Sequence, residues 1–229
     1  CEGSAVALSI PGRCAQSGML GMALSSPPPA GAAPCSHARA GVGAVASQNV
    51  TDPALGHLGL DLMARGMSAP ATLKALTSSA PHIAFRQLML IDAQGRTAVY
   101  SGARTLGRHA TVQGTDCAAA GNLLKQDGVP QAMAEAFATA RGHLGERLLQ
   151  GLEAGLKAGG EAGPVHSAGL LVVDKVSWPI VDLRIDWHET DPLGALRAAW
   201  TVYEPQIADY VTRALDPTKA PGYGVPGEG

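Results

Sequence analysis

The first 26 residues, CEGSAVALSIPGRCAQSGMLGMALSS, decide how the rest of the chain is read. Residues 4–10 and 19–25 are short apolar runs, and between them lie Pro11-Gly12-Arg13 and Gln16-Ser17-Gly18. Pro, Gly and Ser supply turn conformations and interrupt ladder hydrogen bonding, so apolar runs punctuated in this way predict a hairpin. The chain is expected to open with two paired strands, the first of them buried. Only Glu2 and Gly3 stand between that strand and Cys1.

Working outward, strands keep arriving in pairs and so do helices. Residues 26–33 hold three consecutive prolines and predict a loop, because proline cannot donate to a ladder. Residues 41–48 return to a strand pattern. Asp52-Pro53 is a capping side chain before a first-turn proline, and Leu55, Leu58 and Leu62 follow at helical spacing as far as Gly66. Ser68 caps a second helix carrying Leu73 and Leu76. Residues 83–91 and 96–101 flank the turn Asp92-Ala93-Gln94-Gly95 and predict another hairpin. One strand is expected within 110–120, then a helix from Pro130 with Met133 and Phe137, and a helix carrying Leu144, Leu148, Leu152 and Leu156. Strands at 167–174 and 179–186 precede a helix capped by Asp191 with Leu193, Leu196 and Trp200 inside; Pro205 interrupts it before Ile207, Tyr210, Val211 and Leu215. Paired strands and paired helices argue against the strict alternation of a parallel doubly wound sheet. They predict an α+β fold, a four-layer αββα sandwich of two stacked, mainly antiparallel sheets flanked by helices. Residues 1–215 form the expected single domain, and residues 216–229 a Pro- and Gly-rich tail.

Composition narrows the function. Lys+Arg 17 against Asp+Glu 19 gives a net charge of -2, and no basic run could neutralise several phosphates, which argues against a nucleic-acid partner. No apolar run approaches the roughly 20 residues that span a bilayer, so no membrane partner is expected. Hydrophobic residues make up 46% but aromatic ones only 4%, which predicts a core of Ala, Leu and Val. Cys1, Cys14, Cys35 and Cys117 form no CxxC pair, and no two of His37, His57, His82, His109, His143, His166 and His188 stand at i, i+2 or i, i+4. Neither a metal site nor a cofactor is expected, and the sparse cysteines suggest the cytoplasm; export stays open, because a signal or propeptide upstream of Cys1 is compatible with the chain.

Several patterns carry candidate chemistry. A cysteine at a free N-terminus brings its own base, since an α-amine titrates near ~8 and a thiol near ~8.5. The plain alternatives are a cysteine exposed by methionine removal or trimming, and a lipid-bearing cysteine, which a flexible polar tether would normally follow. Residues 41–46 satisfy GxGxxA with Asp61 about twenty residues on, but a Pro-rich loop precedes the glycines and Asp61 falls in a helix, so a dinucleotide site is not supported. No GxSxG elbow occurs. Asn122, after the strand-like residues 117–120, could donate to a developing oxyanion or merely close a turn. Asp182, Arg184 and Asp186 alternate onto one strand face, which is either solvated or orients a polar substrate; it ends at Trp187-His188. His37 and His188 are the histidines best placed for function, whereas His57 and His143 read as surface or capping residues.

Five stretches resemble a bacterial family, the domain of unknown function 1028, grouped with the N-terminal-nucleophile (Ntn) hydrolases. They are residues 20–26 (LGMALSS), 38–48 (ARAGVGAVASQ), Arg86-Gln87-Leu88 with 91–96 (IDAQGR), 121–124 (GNLL), and 181–184 (VDLR) with His188. They run in family order from about residue 8 to 200, and the second is long enough to be specific. The resemblance implies an Ntn-hydrolase-like fold but no established substrate. Members begin with Met and Thr close to a strand resembling Leu8-Ser9-Ile10, whereas Cys1 stands several residues earlier. Either Cys1 fills the nucleophile position at the head of a longer strand, or it belongs to an extension.

The resulting expectation is a hydrolase of a small amide, cyclic ones included, that forms a thioester on Cys1 with Asn122 in the oxyanion site. His37, Arg39, Gln48, Arg86, Arg184 and His188 are the candidate substrate-binding residues. Cys1 would arise by autoprocessing, methionine removal or signal cleavage, and a homodimer or higher homo-oligomer is expected. The alternative is a non-catalytic small-molecule-binding or scaffold protein on the same fold.

Overall fold

The computed structural model describes residues 7–224. The opening hairpin is present: β1 (Leu8–Arg13) pairs antiparallel with β2 (Leu20–Ser26), Leu8 opposite Ser25 and Arg13 opposite Leu20. A one-turn helix α1 (Ala32–Cys35), a short strand β3 (Ser36–Arg39) and β4 (Gly43–Asn49) follow. The helix pair α2 (Pro53–Ala64) and α3 (Ala69–Ser79) is capped by Asp52 and Ser68, whose side chains accept from the backbone N–H of Ala54 and Ala71. Next come the hairpins β5 (Arg86–Asp92) with β6 (Thr97–Ser101) and β7 (Ala110–Gly114) with β8 (Cys117–Gly121). The helix pair α4 (Val129–Thr139) and α5 (Leu144–Lys157) precedes strands β9 (Ser167–Val173) and β10 (Val181–Ile185). Helix α6 (Pro192–Tyr203) and helix α7 (Ile207–Leu215) are separated by a 3-10 turn at Glu204–Gln206, where Pro205 was expected to break the helix.

The strands form two sheets, one ordered β10-β9-β2-β1-β8-β7 and the other β3-β4-β5-β6, and their ladders are antiparallel. Strand alternation divides each sheet between two cores. In the six-stranded sheet Leu8, Ile10, Cys117 and Ala119 pack with Phe137, Leu148 and Trp200 of the helices. In the four-stranded sheet Val45, Leu88 and Leu90 pack with Leu55, Leu60 and Leu76 of α2 and α3. Residues of opposite parity meet between the sheets: Leu20, Met22, Ala118 and Ala120 on one side, Ala44, Ala46, Met89 and Ile91 on the other. The protein is therefore the expected α+β, four-layer αββα sandwich. The small side chains that replace aromatics sit in this central layer, where they let the sheets approach closely.

The differences are local. The loop expected over 26–33 runs into α1, and β3 lies in the stretch after it where no element was expected, because a four-residue edge strand such as Ser36–Arg39 lacks a readable apolar period. The single strand expected in 110–120 is a hairpin, turned at Asp116, which adopts φ +56°. Residues Ile83–Phe85 form a 3-10 turn before β5 rather than extending it. Among the described residues no helix is long and apolar enough to cross a membrane.

Helix α6 is held to α5 by a charged clasp. Arg197 donates to Glu153 through Nε (2.8 Å) and Nη2 (2.9 Å) and to Glu146 through Nη1 (2.6 Å), while Trp200 Nε1 also donates to Glu146 (2.7 Å). Burial pushes the Glu146 carboxyl up, but Arg197, Gln150 and Trp200 together hold it below its ordinary value. A carboxyl depressed in the folded state contributes stability that is present above its unfolded value, about 4.5, and lost as pH falls through the lower folded value. Arg197→Met should therefore lower the melting temperature at pH 7 and flatten its decline below pH 4.5, as read from thermal melts across pH 2.5–7.

Candidate active site

An uncharged polar row crosses the apolar layer between the sheets. Parity puts Ser9 of β1 on the inner face, and likewise Gln48 of β4 and Gln87 of β5, which stand opposite each other in the ladder. The Ser9 hydroxyl donates to Gln48 Oε1 (2.5 Å). Gln48 Nε2 donates to the Ala7 carbonyl (3.0 Å) and to Gln87 Oε1 (2.7 Å). Gln87 Nε2 donates to Ser101 Oγ (2.9 Å) and to the Gly121 carbonyl (3.2 Å), and Asn122 Nδ2 donates to Gln87 Oε1 (3.1 Å). Ser9, Gln48, Gln87 and Asn122 are all fully buried.

The row is directional, which settles the amide orientations. Gln87 must offer nitrogen to the Gly121 carbonyl, so its oxygen faces Gln48 and Asn122, and both of those must present nitrogen to it. Asn122 Oδ1 is left as the outer atom, buried and without a hydrogen-bond partner. Asn122 was expected to donate to an oxyanion; its nitrogen is committed to Gln87, and its free atom is an acceptor.

Both sheets contribute to the end of the row. Leu8 lies opposite Gly121, so Ala7 and Asn122 are neighbours at the head of β1. The residue after Asn122, Leu123, adopts φ +48°, a conformation costly for a branched side chain, which turns the chain sharply away from β8. The connection between β6 and β7 is stitched across this end. Leu106 N–H donates to Asn49 Oδ1 (3.0 Å) on one sheet, while Leu123 N–H donates to the Leu106 carbonyl (3.1 Å) and Leu124 N–H to the Arg108 carbonyl (2.8 Å) on the other.

Of the candidates read from sequence, only Gln48 and Asn122 meet here. Cys1 lies outside the described residues. His37 is on the outer face of its sheet, its Nε2 3.1 Å from the Pro34 carbonyl and its ring edge-on to His57. Gly56 of α2 lies so close that an added Cβ would stand 2.0 Å from the His37 ring. Burial pushes this imidazole below its ordinary value. Arg39 pairs with Asp61 of α2 (2.9 Å), and Arg86 donates to the Val50 carbonyl (2.6 Å). Arg184 pairs with Asp182 on the exposed face of β10, and His188 Nδ1 accepts from Asp191 N–H (2.9 Å) where α6 begins. These five residues share no site with Gln48 and Asn122. Sequence reading missed Ser9 and Gln87, although each is an uncharged polar residue at an inward position of an otherwise apolar strand, and that was the available signal. Among the described residues no group of three or more His, Cys, Asp or Glu could hold a metal ion.

The model of a family of unknown function, DUF1028, matches residues 7–196. The chain belongs to DUF1028. A solved DUF1028 structure, protein SPO2555 from Silicibacter pomeroyi, is 27% identical, covers 90% of this chain and 93% of its own, and superposes with a TM-score of 0.81. Two looser likenesses are an Anbu (Gly-1) mutant from Hyphomicrobium sp. strain MC1 and Anbu (ancestral beta-subunit) from Yersinia bercovieri. The first is 13% identical over 96% of this chain and 100% of that one, with TM-score 0.42; the second is 11% identical over 95% and 100%, with TM-score 0.37. No curated protein matches. The DUF1028 match begins at Ala7, the residue whose carbonyl Gln48 grips at the head of β1.

Replacing Gln87 by Leu removes the shared acceptor and leaves buried nitrogens of Gln48 and Asn122 and the Gly121 carbonyl each short of a bond. At about 1–3 kcal/mol for each orphaned group, offset by relaxation, a net loss of about 3 kcal/mol is expected. Urea unfolding should show it as a lower midpoint at unchanged slope.

Proposed function

We propose that the protein hydrolyses a small amide, cyclic ones included, at the end of the polar row where Ala7 and Asn122 face each other, with Cys1 as the nucleophile. The observation that supports this is the free, buried Asn122 Oδ1 at the head of β1, in a row that carries no charge. An amide substrate presents an N–H to this acceptor, and its neutrality suits an uncharged row. Cys1 precedes Ala7 by six residues. That is a reach of up to about 20 Å at about 3.3 Å per residue, enough for a thiol to return to the row.

The chemistry balances as follows. The Cys1 thiolate attacks the carbonyl carbon, and a backbone N–H stabilises the oxygen as it gains charge. The C–N bond breaks, the nitrogen taking a proton from the α-ammonium, and a thioester remains. Water attacks the thioester carbon with the α-amine taking its proton, and the sulfur leaves, releasing the carboxylic acid and restoring the thiolate and the α-ammonium. Asn122 and Gln48 act by placing the substrate N–H and the Ala7 backbone.

A second reading, a non-catalytic binding protein on this fold, is favoured by Ala7 itself, whose methyl group at the head of β1 cannot attack a carbonyl. Thiol labelling separates the two. Burial pushes the Cys35 and Cys117 thiols up to about 12 and about 11, so both should be silent at neutral pH. Cys14 competes: burial pushes its thiol up, but hydrogen bonds with Ser17 and Gln16 and the charge of Arg147 bring it below its ordinary value. In a Cys14→Ser background, iodoacetamide at pH 7 should therefore label Cys1 alone, faster than it labels a model peptide, as followed by intact mass. Cys1→Ala should cut turnover of a small-amide panel by roughly 10³-fold or more while the fold is kept. Labelling at the peptide rate, or turnover undiminished by Cys1→Ala, rejects the nucleophile and leaves the binding reading.

A further inference from the structure

A second buried polar group with nothing to bind lies outside the row. The chain after α5 runs antiparallel beside the turn that follows Asn122: Ala162 N–H donates to the Leu123 carbonyl (2.7 Å), Lys125 N–H donates to the Gly160 carbonyl (3.1 Å), and Leu124 faces Glu161 in an isolated bridge. A cavity of about 340 Å³ opens between this segment, the end of α5 and the start of α6. Leu156, Val165 and Leu193 give it an apolar wall, and its ionisable lining groups are Lys125, Asp191 and Glu161.

Glu161 is 4% exposed, and neither carboxyl oxygen has a hydrogen-bond partner. Burial pushes its carboxyl well above the ordinary value. A buried carboxyl kept only for structure would hand its O–H to a nearby acceptor or pair with a cation, because leaving it bare costs about 1–3 kcal/mol or more. Here the residue borders the cavity instead, with both oxygens covered. Asp191 is partly committed, its Oδ1 accepting from Gly194 N–H (2.8 Å). The carboxyl lacks a donor rather than an acceptor, which an anion would not supply even with Lys125 on the wall, and two carboxyl groups are too few ligands to enclose a metal ion.

We propose that this cavity binds a small primary ammonium compound, its short aliphatic chain against the apolar wall and its ammonium on the Glu161 carboxylate. Binding favours the carboxylate over the neutral acid that burial favours, and the displaced proton leaves to the buffer; the ammonium supplies the N–H donors that Glu161 lacks. The site stands independently of the proposed hydrolysis, since none of its residues belongs to the Gln48–Gln87–Asn122 row.

The test is calorimetric titration of the intact protein with n-butylammonium chloride at pH 7.5, in two buffers of different ionisation enthalpy. Saturable binding in the millimolar range is expected, with net release of protons on binding. Glu161→Gln, nearly isosteric and uncharged, should keep or raise the melting temperature, weaken binding at least tenfold and abolish proton release. Isoelectronic n-butanol should not saturate over the same range. Absence of saturable binding to the wild type, undiminished binding to Glu161→Gln, or equal binding of n-butanol would overturn the assignment.

Discussion

The carboxamide of Gln87 ties the two sheets to one another. Apolar contacts between sheets are non-directional, and a layer of Ala, Leu and Met would tolerate small slides at little cost. A carboxamide that accepts from Gln48 and Asn122 and donates to Ser101 and the Gly121 carbonyl tolerates none. Each of those bonds nets only about 0.5–1.5 kcal/mol, but each broken in place strands a buried polar group at about 1–3 kcal/mol. The asymmetry makes the row a registration device: it adds modest stability and large specificity. Because Gln48 also grips the Ala7 carbonyl, the same device fixes where the first strand begins.

Fixing that point required concessions nearby. Leu123 accepts a left-handed backbone so that the chain can leave β8 immediately after Asn122. Asn49, also at positive φ (+76°), supplies both a donor to the Phe85 carbonyl (2.6 Å) and the acceptor that pins the β6–β7 connection. Asparagine tolerates this conformation better than most residues, and leucine does not. The strain at Leu123 sits beside the unpartnered Asn122 oxygen, while Ala30 (φ +54°) and His82 (φ +57°) carry left-handed backbone elsewhere in the chain.

The architecture was legible because it rests on local signals. Capping side chains before prolines at Asp52 and Ser68, the Asp92–Gly95 turn and the leucine periods of α2 and α5 are each set by a few adjacent residues, and pairing them argued against alternating βα units. The hairpin at Asp116 and the edge strand at Ser36–Arg39 escaped because each is shorter than one readable period. The site was less legible for a different reason. Attention to charged and nucleophilic side chains favoured His37, Arg39, Arg86, Arg184 and His188, whose partners prove to be neighbouring backbone and carboxylates. Membership of a polar row depends on which strands face each other across the sandwich, and Ser9, Gln48, Gln87 and Asn122 are separated by dozens of residues in sequence.

A site whose framework contains no ionisable group has a consequence for any reaction placed there. Serine and carboxamides hold their hydrogen bonds unchanged across the range in which thiols and α-amines titrate. The hydrogen bonds of the row therefore involve no group that changes its own protonation in that range. On the proposed chemistry, the pH dependence of turnover belongs to the reacting thiol and amine, not to the residues that position them. On that proposal the separation follows from Ala7: with a methyl at the strand head, the row supplies register and one acceptor, and the thiol comes to them from outside the strand.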